Sequence, residues 1–171
     1  DYKNFCIDKD ETLKLISETN SKFAFIDRSE GLYYEDFSWI KESGIPYCVF
    51  DASQYLTNIL SGSYISPFDM GFDLILSTLH KNFPGPQKAL LATKSIDSYW
   101  HKIISGTSTF ISNSHPEEMF MAGESIKQIE KLKIYSNELL RISKELESNL
   151  YELNVNVLKK DDNKIPTQHI W

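Results

Sequence analysis

Residues 73–86 read DLILSTLHKNFPGP, an apolar stretch that passes into a short polar run and then into a turn rich in proline and glycine. The apolar stretch, residues 73–77, predicts a β-strand. A second apolar run at residues 89–93 follows the turn, so we expect these two strands to pair as an antiparallel edge. The polar run 78–81 then lies directly after the carboxyl end of a strand.

Two further strands are predicted upstream, at residues 23–26 and 47–50. Each follows a helical pattern, at residues 11–18 and 36–42 respectively. Short apolar runs that alternate with helices are typical of βαβ units, in which the strands are parallel. We therefore predict an α/β fold of three layers, αβα, with helices on both sides of a mostly parallel, mixed sheet.

The apolar spacing becomes helical between residues 116 and 153, which predicts one long helix or two in tandem. The pattern divides the chain into three parts. Residues 1–115 are predicted to form part of a large α/β domain, residues 116–153 a connecting helical segment, and residues 154–171 the start of a small domain.

Composition and charge indicate a globular protein and argue against nucleic-acid and membrane partners. The 171 residues are 41% hydrophobic, enough for one sizeable core, and the net charge of −6 argues against a nucleic-acid partner. No apolar run approaches the roughly 20 residues needed to span a bilayer, so we expect a cytoplasmic protein without a membrane partner. Cys6 and Cys48 are too few for a disulfide framework, and no Cys/His spacing predicts a metal site.

Three polar features follow predicted strands: residues 27–29, Asp51 and residues 78–81. Open α/β sheets bind ligands at the edge formed by the carboxyl ends of their strands. A lysine and an acid at that edge suit pyridoxal 5'-phosphate, which needs an amine for its Schiff base and a carboxylate that keeps the pyridine nitrogen protonated. The sequence therefore predicts that Lys81 and Asp51 serve this cofactor.

The residues around these features resemble the serine hydroxymethyltransferase family. The resemblance rests on residues 50–54, FDASQ, and on residues 77–87, STLHKNFPGPQ, in which His-Lys is followed by Gly-Pro. It implies that Lys81 forms the Schiff base, that Asp51 faces the pyridine nitrogen, and that Thr78 and His80 shape the pocket. The sequence of residues 83–89 is more similar to threonine transaldolases than to the folate-dependent serine hydroxymethyltransferases.

Other positions match the family less closely. Ser29 resembles a serine near the phenolic oxygen of the cofactor, and Gln54 stands where the family usually has a histidine. Ser114 and His115 occupy the place of a glycine-rich loop that reaches the cofactor phosphate of a neighbouring subunit. The resemblance therefore implies that these four residues contact the cofactor and that the catalytic form is a homodimer.

The resemblance further implies an enzyme that makes or breaks the Cα–Cβ bond of a β-hydroxy amino acid, with serine, threonine and glycine as the substrate class. It covers a middle portion of the family's length, and this portion offers no support for tetrahydrofolate binding. Two alternatives stay open. The chain could be a non-catalytic truncated or split portion of such a protein, or the cofactor could serve transamination or racemisation.

Overall fold

A computed structural model describes residues 5–111, 115–161 and 164–171. Four strands form one sheet in the order β1 (Ala24–Asp27), β2 (Cys48–Asp51), β3 (Leu74–Thr78) and β4 (Ala89–Thr93). The first three strands are parallel, and β4 pairs antiparallel with β3. The predicted mixed sheet and its antiparallel edge are confirmed.

Six α-helices and one 3-10 helix surround the sheet in the described ranges: α1 (Lys9–Thr19), the 3-10 helix (Ser38–Ser43), α2 (Leu56–Ser61), α3 (Pro67–Met70), α4 (Ser98–Phe110), α5 (Pro116–Ile126) and α6 (Ile129–Glu152). The helical segment predicted after residue 116 is thus two helices in tandem. The helix predicted over residues 36–42 is a 3-10 turn that ends at Gly44 with a positive φ of 66°. None of these helices is long and apolar enough to cross a membrane.

The two faces of the sheet bury different side chains, because side chains alternate along a strand. Val49 and Leu74 point to one face, where Trp100 and Ile103 of α4 cover them. The other face carries the larger core, which contains these buried side chains: Ile26, Phe37, Ile40, Cys48, Phe50, Tyr55, Tyr64, Met70, Phe72 and Ile75. Helical cover on both faces confirms the predicted α/β fold class.

The last residues of the chain return to the loop after β1. The N–H of Thr167 donates to the carbonyl of Leu32 at 2.9 Å, and the N–H of Tyr34 donates to the carbonyl of Ile165 at 2.9 Å. The hydroxyl of Thr167, which is buried, donates to the carbonyl of Gly31. This segment, predicted to start a small domain, therefore packs against the large α/β part, while the division into domains itself stays a prediction.

Candidate functional site at the carboxyl edge of the sheet

The parallel strands bring their polar carboxyl ends to one edge. Asp27 of β1 is aligned with Asp51 of β2, and Asp51 is aligned with Leu76 of β3. Aligned residues of parallel neighbours point to the same face, and so does Thr78, two residues beyond Leu76. Asp51 and Thr78 therefore share one face at the end of neighbouring strands.

Asp51 is held by its local backbone rather than by a basic side chain. Its Oδ1 atom accepts the N–H of Ser53 at 2.8 Å, an Asx turn that fixes the half-buried carboxylate. The N–H of Ala52 donates to the carbonyl of Leu76 at 2.7 Å, which ties the turn to β3. Within the described ranges the carboxylate has no other hydrogen-bond donor, so Oδ2 can accept one from a bound group.

Lys81 lies in the β3–β4 connection between two buried anchors. Leu79 and Phe83 are buried, whereas the side chains of His80 and Lys81 are exposed. The N–H of Gly85 donates to the carbonyl of Leu79 at 2.7 Å, and a Cβ at Gly85 would lie 2.8 Å from that oxygen. Glycine is needed here for this close approach, which closes the loop beneath Lys81.

The amine of Lys81 differs from those of the two lysines that follow it. Lys88 forms an ion pair with Glu118 at 2.8 Å and lowers the pKa of that carboxyl through its hydrogen bond, and Lys94 pairs with Asp69 at 3.4 Å. The Nζ atom of Lys81 has no such partner in the part of the chain that is described. Of the three amines it is the one left available for covalent chemistry.

Thr78 carries an unsatisfied hydroxyl at the same edge. Its Oγ1 atom is buried and has no hydrogen-bond partner within the described ranges. Leaving a buried hydroxyl unpaired costs about 1–3 kcal/mol, so such atoms usually meet a water, an ion or a ligand. This atom marks a place where a polar group from outside the described chain is needed.

Ser29 and Gln54 lie near the edge with different surroundings. The N–H and the hydroxyl of Ser29 both donate to Oδ1 of Asp27, at 2.8 and 2.5 Å, and residues 27–31 line a cleft of about 330 Å³ together with Trp171. Gln54 is half-buried, and its backbone carbonyl accepts the Nε2–H of Gln168 at 2.9 Å. Their contact with a cofactor stays a prediction.

Of the two residues predicted to contact a phosphate, Ser114 lies outside the described residues. His115 is exposed, caps the start of α5 with a positive φ of 47°, and places Nδ1 3.5 Å from Glu117. Helix α5 nevertheless packs against the lysine loop, the residues 79–88 between β3 and β4, since the hydroxyl of Ser125 donates to the carbonyl of Pro84 at 3.0 Å. The proposed role of Ser114 and His115 at a cofactor phosphate stays a prediction.

The sequence did not predict the buried polar residues beneath the loop. Thr57, Asn58, Asn82 and Ser136 are all buried and bonded to one another. The available signal was weak: two polar residues interrupt the apolar run 56–60, LTNIL, and an asparagine follows Lys81.

Comparison with known proteins gives a consistent picture. No family model matches the chain. It is 24% identical over 163 residues to the serine hydroxymethyltransferase of Picrophilus torridus, 28% over 160 residues to that of Archaeoglobus fulgidus and 29% over 165 residues to that of Methanosphaera stadtmanae. These alignments cover 92%, 89% and 91% of this chain but 38%, 35% and 37% of the relatives.

The fold is shared with a solved enzyme. The crystal structure of L-threonine transaldolase from Pseudomonas fluorescens in its internal aldimine state superposes with a TM-score of 0.83 at 23% identity, covering 96% of this chain and 39% of that one. The chain thus spans between about a third and two fifths of the proteins it matches. By sequence and by fold it is a serine hydroxymethyltransferase-like chain that corresponds to one portion of those longer enzymes.

Proposed function

We propose that this chain supplies the lysine-bearing part of a pyridoxal-phosphate enzyme that makes or breaks the Cα–Cβ bond of a β-hydroxy amino acid. One observation carries the proposal. Within the described residues, the amine of Lys81 after β3 has no ion-pair partner, and Asp51 at the end of the neighbouring strand β2 has an open carboxylate oxygen. The buried hydroxyl of Thr78, at the end of β3, has no hydrogen-bond partner in the same residues. These are the donor and acceptor types that the aldehyde and ring of this cofactor require.

Each residue has one task in this scheme. Lys81 would hold the aldehyde end of the cofactor through its amine, and Asp51 would hold the protonated pyridine ring by accepting its N–H. Thr78 donates or accepts the hydrogen bond that its buried Oγ1 lacks, and His80 shapes the exposed side of the pocket. Bound pyridoxal phosphate supplies an electron sink for the pair released when a bond to the substrate Cα breaks.

The remaining contacts come from the family resemblance. Ser29 and Gln54 would contact the phenolic oxygen, and Ser114 and His115 would contact the phosphate held by a neighbouring subunit. The names of the relatives and of the structural neighbour favour cleavage or formation of the Cα–Cβ bond of serine or threonine over transamination or racemisation. Glycine completes this substrate class because it is the amino acid left when that bond breaks. The cytoplasmic localisation expected from the sequence belongs to the same proposal.

A homodimer is also part of the proposal. Large apolar side chains of α4 and α5 are exposed, among them Phe110 at 87%, Phe120 at 69% and Met119 at 58%. Exposed apolar surface of this kind is typical of a surface that a partner covers. The phosphate contact predicted for Ser114 and His115, at the start of α5, requires that the partner be a second subunit.

Threonine distinguishes the proposed reaction from its alternatives. The chain is incubated with an excess of pyridoxal phosphate and with L-threonine, and the products are analysed for an aldehyde, a keto acid and D-allo-threonine. We expect an aldehyde and glycine, because these are the products of Cα–Cβ cleavage. Lys81→Ala should abolish this release and Lys88→Ala should retain it. A keto acid, from transamination, or D-allo-threonine, from inversion at Cα, in place of the aldehyde would contradict the proposed reaction.

A further inference from the structure

The loop that carries Lys81 rests on a buried polar chain that runs from β3–β4 to the long helix α6. We propose that Asn82, Thr57, Asn58 and Ser136 form a positioning network that holds Lys81 in its reactive place. The inference rests on the proposed function of Lys81. The four residues are not substrate contacts, and they act through the backbone of the lysine loop.

Asn82 is fixed at both its side chain and its backbone. Its Oδ1 atom accepts the N–H of Thr57 at 2.7 Å, and its backbone carbonyl accepts the hydroxyl of Thr57 at 2.8 Å. Helix α2 begins at Leu56, and its N-cap Tyr55 makes no side-chain capping bond. Asn82 therefore supplies, from 25 residues away, a cap that the local sequence lacks.

The network continues in one direction. Because Oδ1 of Asn82 accepts from a backbone N–H, its amide orientation is set, and Nδ2 must donate to Oδ1 of Asn58 at 3.1 Å. Nδ2 of Asn58 then donates to the hydroxyl of Ser136 at 3.0 Å, which donates to Ser63 at 3.2 Å. Each link leaves the next group only one orientation.

Burial makes this network stiff. Thr57, Asn58 and Ser136 are each 0% exposed and Asn82 is 7% exposed, so water cannot replace a lost partner easily. Lys81 is the residue directly before Asn82, and Leu79, on its other side, is also buried. The backbone of Lys81 is thereby held from both sides while its side chain stays exposed.

Two matched pairs of variants test the network. Ser136→Ala removes a link, whereas Ser143→Ala removes another buried serine of α6, whose hydroxyl donates to Gln168. Thr57→Val removes the hydroxyl that bonds the carbonyl of Asn82, and Thr57→Ser keeps it. Should Ser136→Ala fail to fold, the comparison of Thr57→Val with Thr57→Ser tests the network by itself.

The first readout is the rate at which pyridoxal phosphate and borohydride label Lys81, measured by peptide mass spectrometry with Lys88 as the internal reference. We expect the rate of Lys81 labelling to fall about tenfold in Ser136→Ala and Thr57→Val. A displacement of about 1 Å can lower the rate of a reaction by this factor or more. Lys88 labelling should stay constant. A loss of overall stability alone would not change this ratio below the melting temperature.

The second readout is hydrogen exchange of residues 79–85, which needs no cofactor. Loss of a buried bond should speed exchange there about tenfold in Ser136→Ala and Thr57→Val, but not in Ser143→Ala or Thr57→Ser. Equal exchange in both members of each pair overturns the network, and so does altered exchange with an unchanged Lys81 labelling ratio. If Lys81 is not labelled in the wild type, the proposed function fails instead, and exchange alone then decides the network.

Discussion

The lysine loop, residues 79–88, and the helices α4 and α5 differ in how completely their apolar side chains are buried. Leu79 and Phe83 of the loop are buried, and Asn82 is bonded on all sides. Helices α4 and α5 meanwhile leave Phe110 and Phe120 largely exposed. Under the proposed function, the chain positions Lys81 with its own residues, whereas a second subunit covers the exposed side chains of α4 and α5.

The proposed dependence on a second subunit predicts that the chain alone binds the cofactor weakly. No phosphate cradle was recognised in its sequence, and a hydrogen bond to a charged acceptor contributes about 1.5–3 kcal/mol. Losing several such bonds lowers affinity by orders of magnitude. Calorimetric titration with pyridoxal phosphate should give a dissociation constant far above that of a complete enzyme. Tight stoichiometric binding by a monomer would show that this chain holds the phosphate by itself.

Asp51→Asn should weaken the same binding further, by roughly 10- to 100-fold, the range for a lost charge-assisted hydrogen bond. The amide keeps an oxygen for the N–H of Ser53, so the turn after β2 is retained. Absorbance titration measures the change. Asp97→Asn is the matched control, because Asp97 also accepts backbone N–H groups but does so at the start of α4. Equal affinities in wild type and Asp51→Asn would remove Asp51 from the site.

The double variant Phe110→Ser, Phe120→Ser tests whether the exposed apolar side chains of α4 and α5 contact a second subunit. Covering a phenylalanine side chain contributes about 1.5–3 kcal/mol, so self-association should weaken about tenfold or more. Sedimentation equilibrium measures the association constant. Tyr151→Ser, on exposed α6 surface, serves as control. Unchanged association in the double variant would place the partner surface elsewhere.

His169 offers a smaller effect, in the packed part of the molecule. Burial, followed by the nearby charge of Lys160, lowers the pKa of this imidazole, while Glu30 acts in the opposite direction. The unfolded chain therefore binds the proton more readily, and stability that is present above about pH 6.5 is lost as the pH falls below it. Solvent screening at this partly exposed ring limits the effect.

The difference in melting temperature between wild type and His169→Asn reports this titration. As the pH falls from about 7 to 5, the melting temperature of the wild type should fall relative to that of His169→Asn by a few degrees or less. A difference that stays constant, or that moves in favour of the wild type on acidification, would contradict the lowered pKa.

The parts of the fold that follow local patterns were predictable. The apolar runs before Asp27, Asp51 and Thr78 predicted the three parallel strands, and the run at residues 89–93 predicted the antiparallel edge, because burial on both faces favours continuous apolar sequence. Helix α2 was missed since its buried Thr57 and Asn58 interrupt the apolar pattern. Their partners, Asn82 and Ser136, are distant in the sequence, and no local pattern reports a contact of that kind.

The central claim, that Lys81 is the lysine that holds the cofactor, is tested most directly by mapping the site of covalent attachment. The chain is mixed with pyridoxal phosphate, the bond between the aldehyde carbon and the lysine nitrogen is reduced with borohydride, and the peptides are sequenced by mass spectrometry. We predict that the pyridoxyl group is found on Lys81, whose amine has no acidic partner in the described chain. Preferential labelling of Lys88 or Lys94, which are paired with Glu118 and Asp69, would contradict the account.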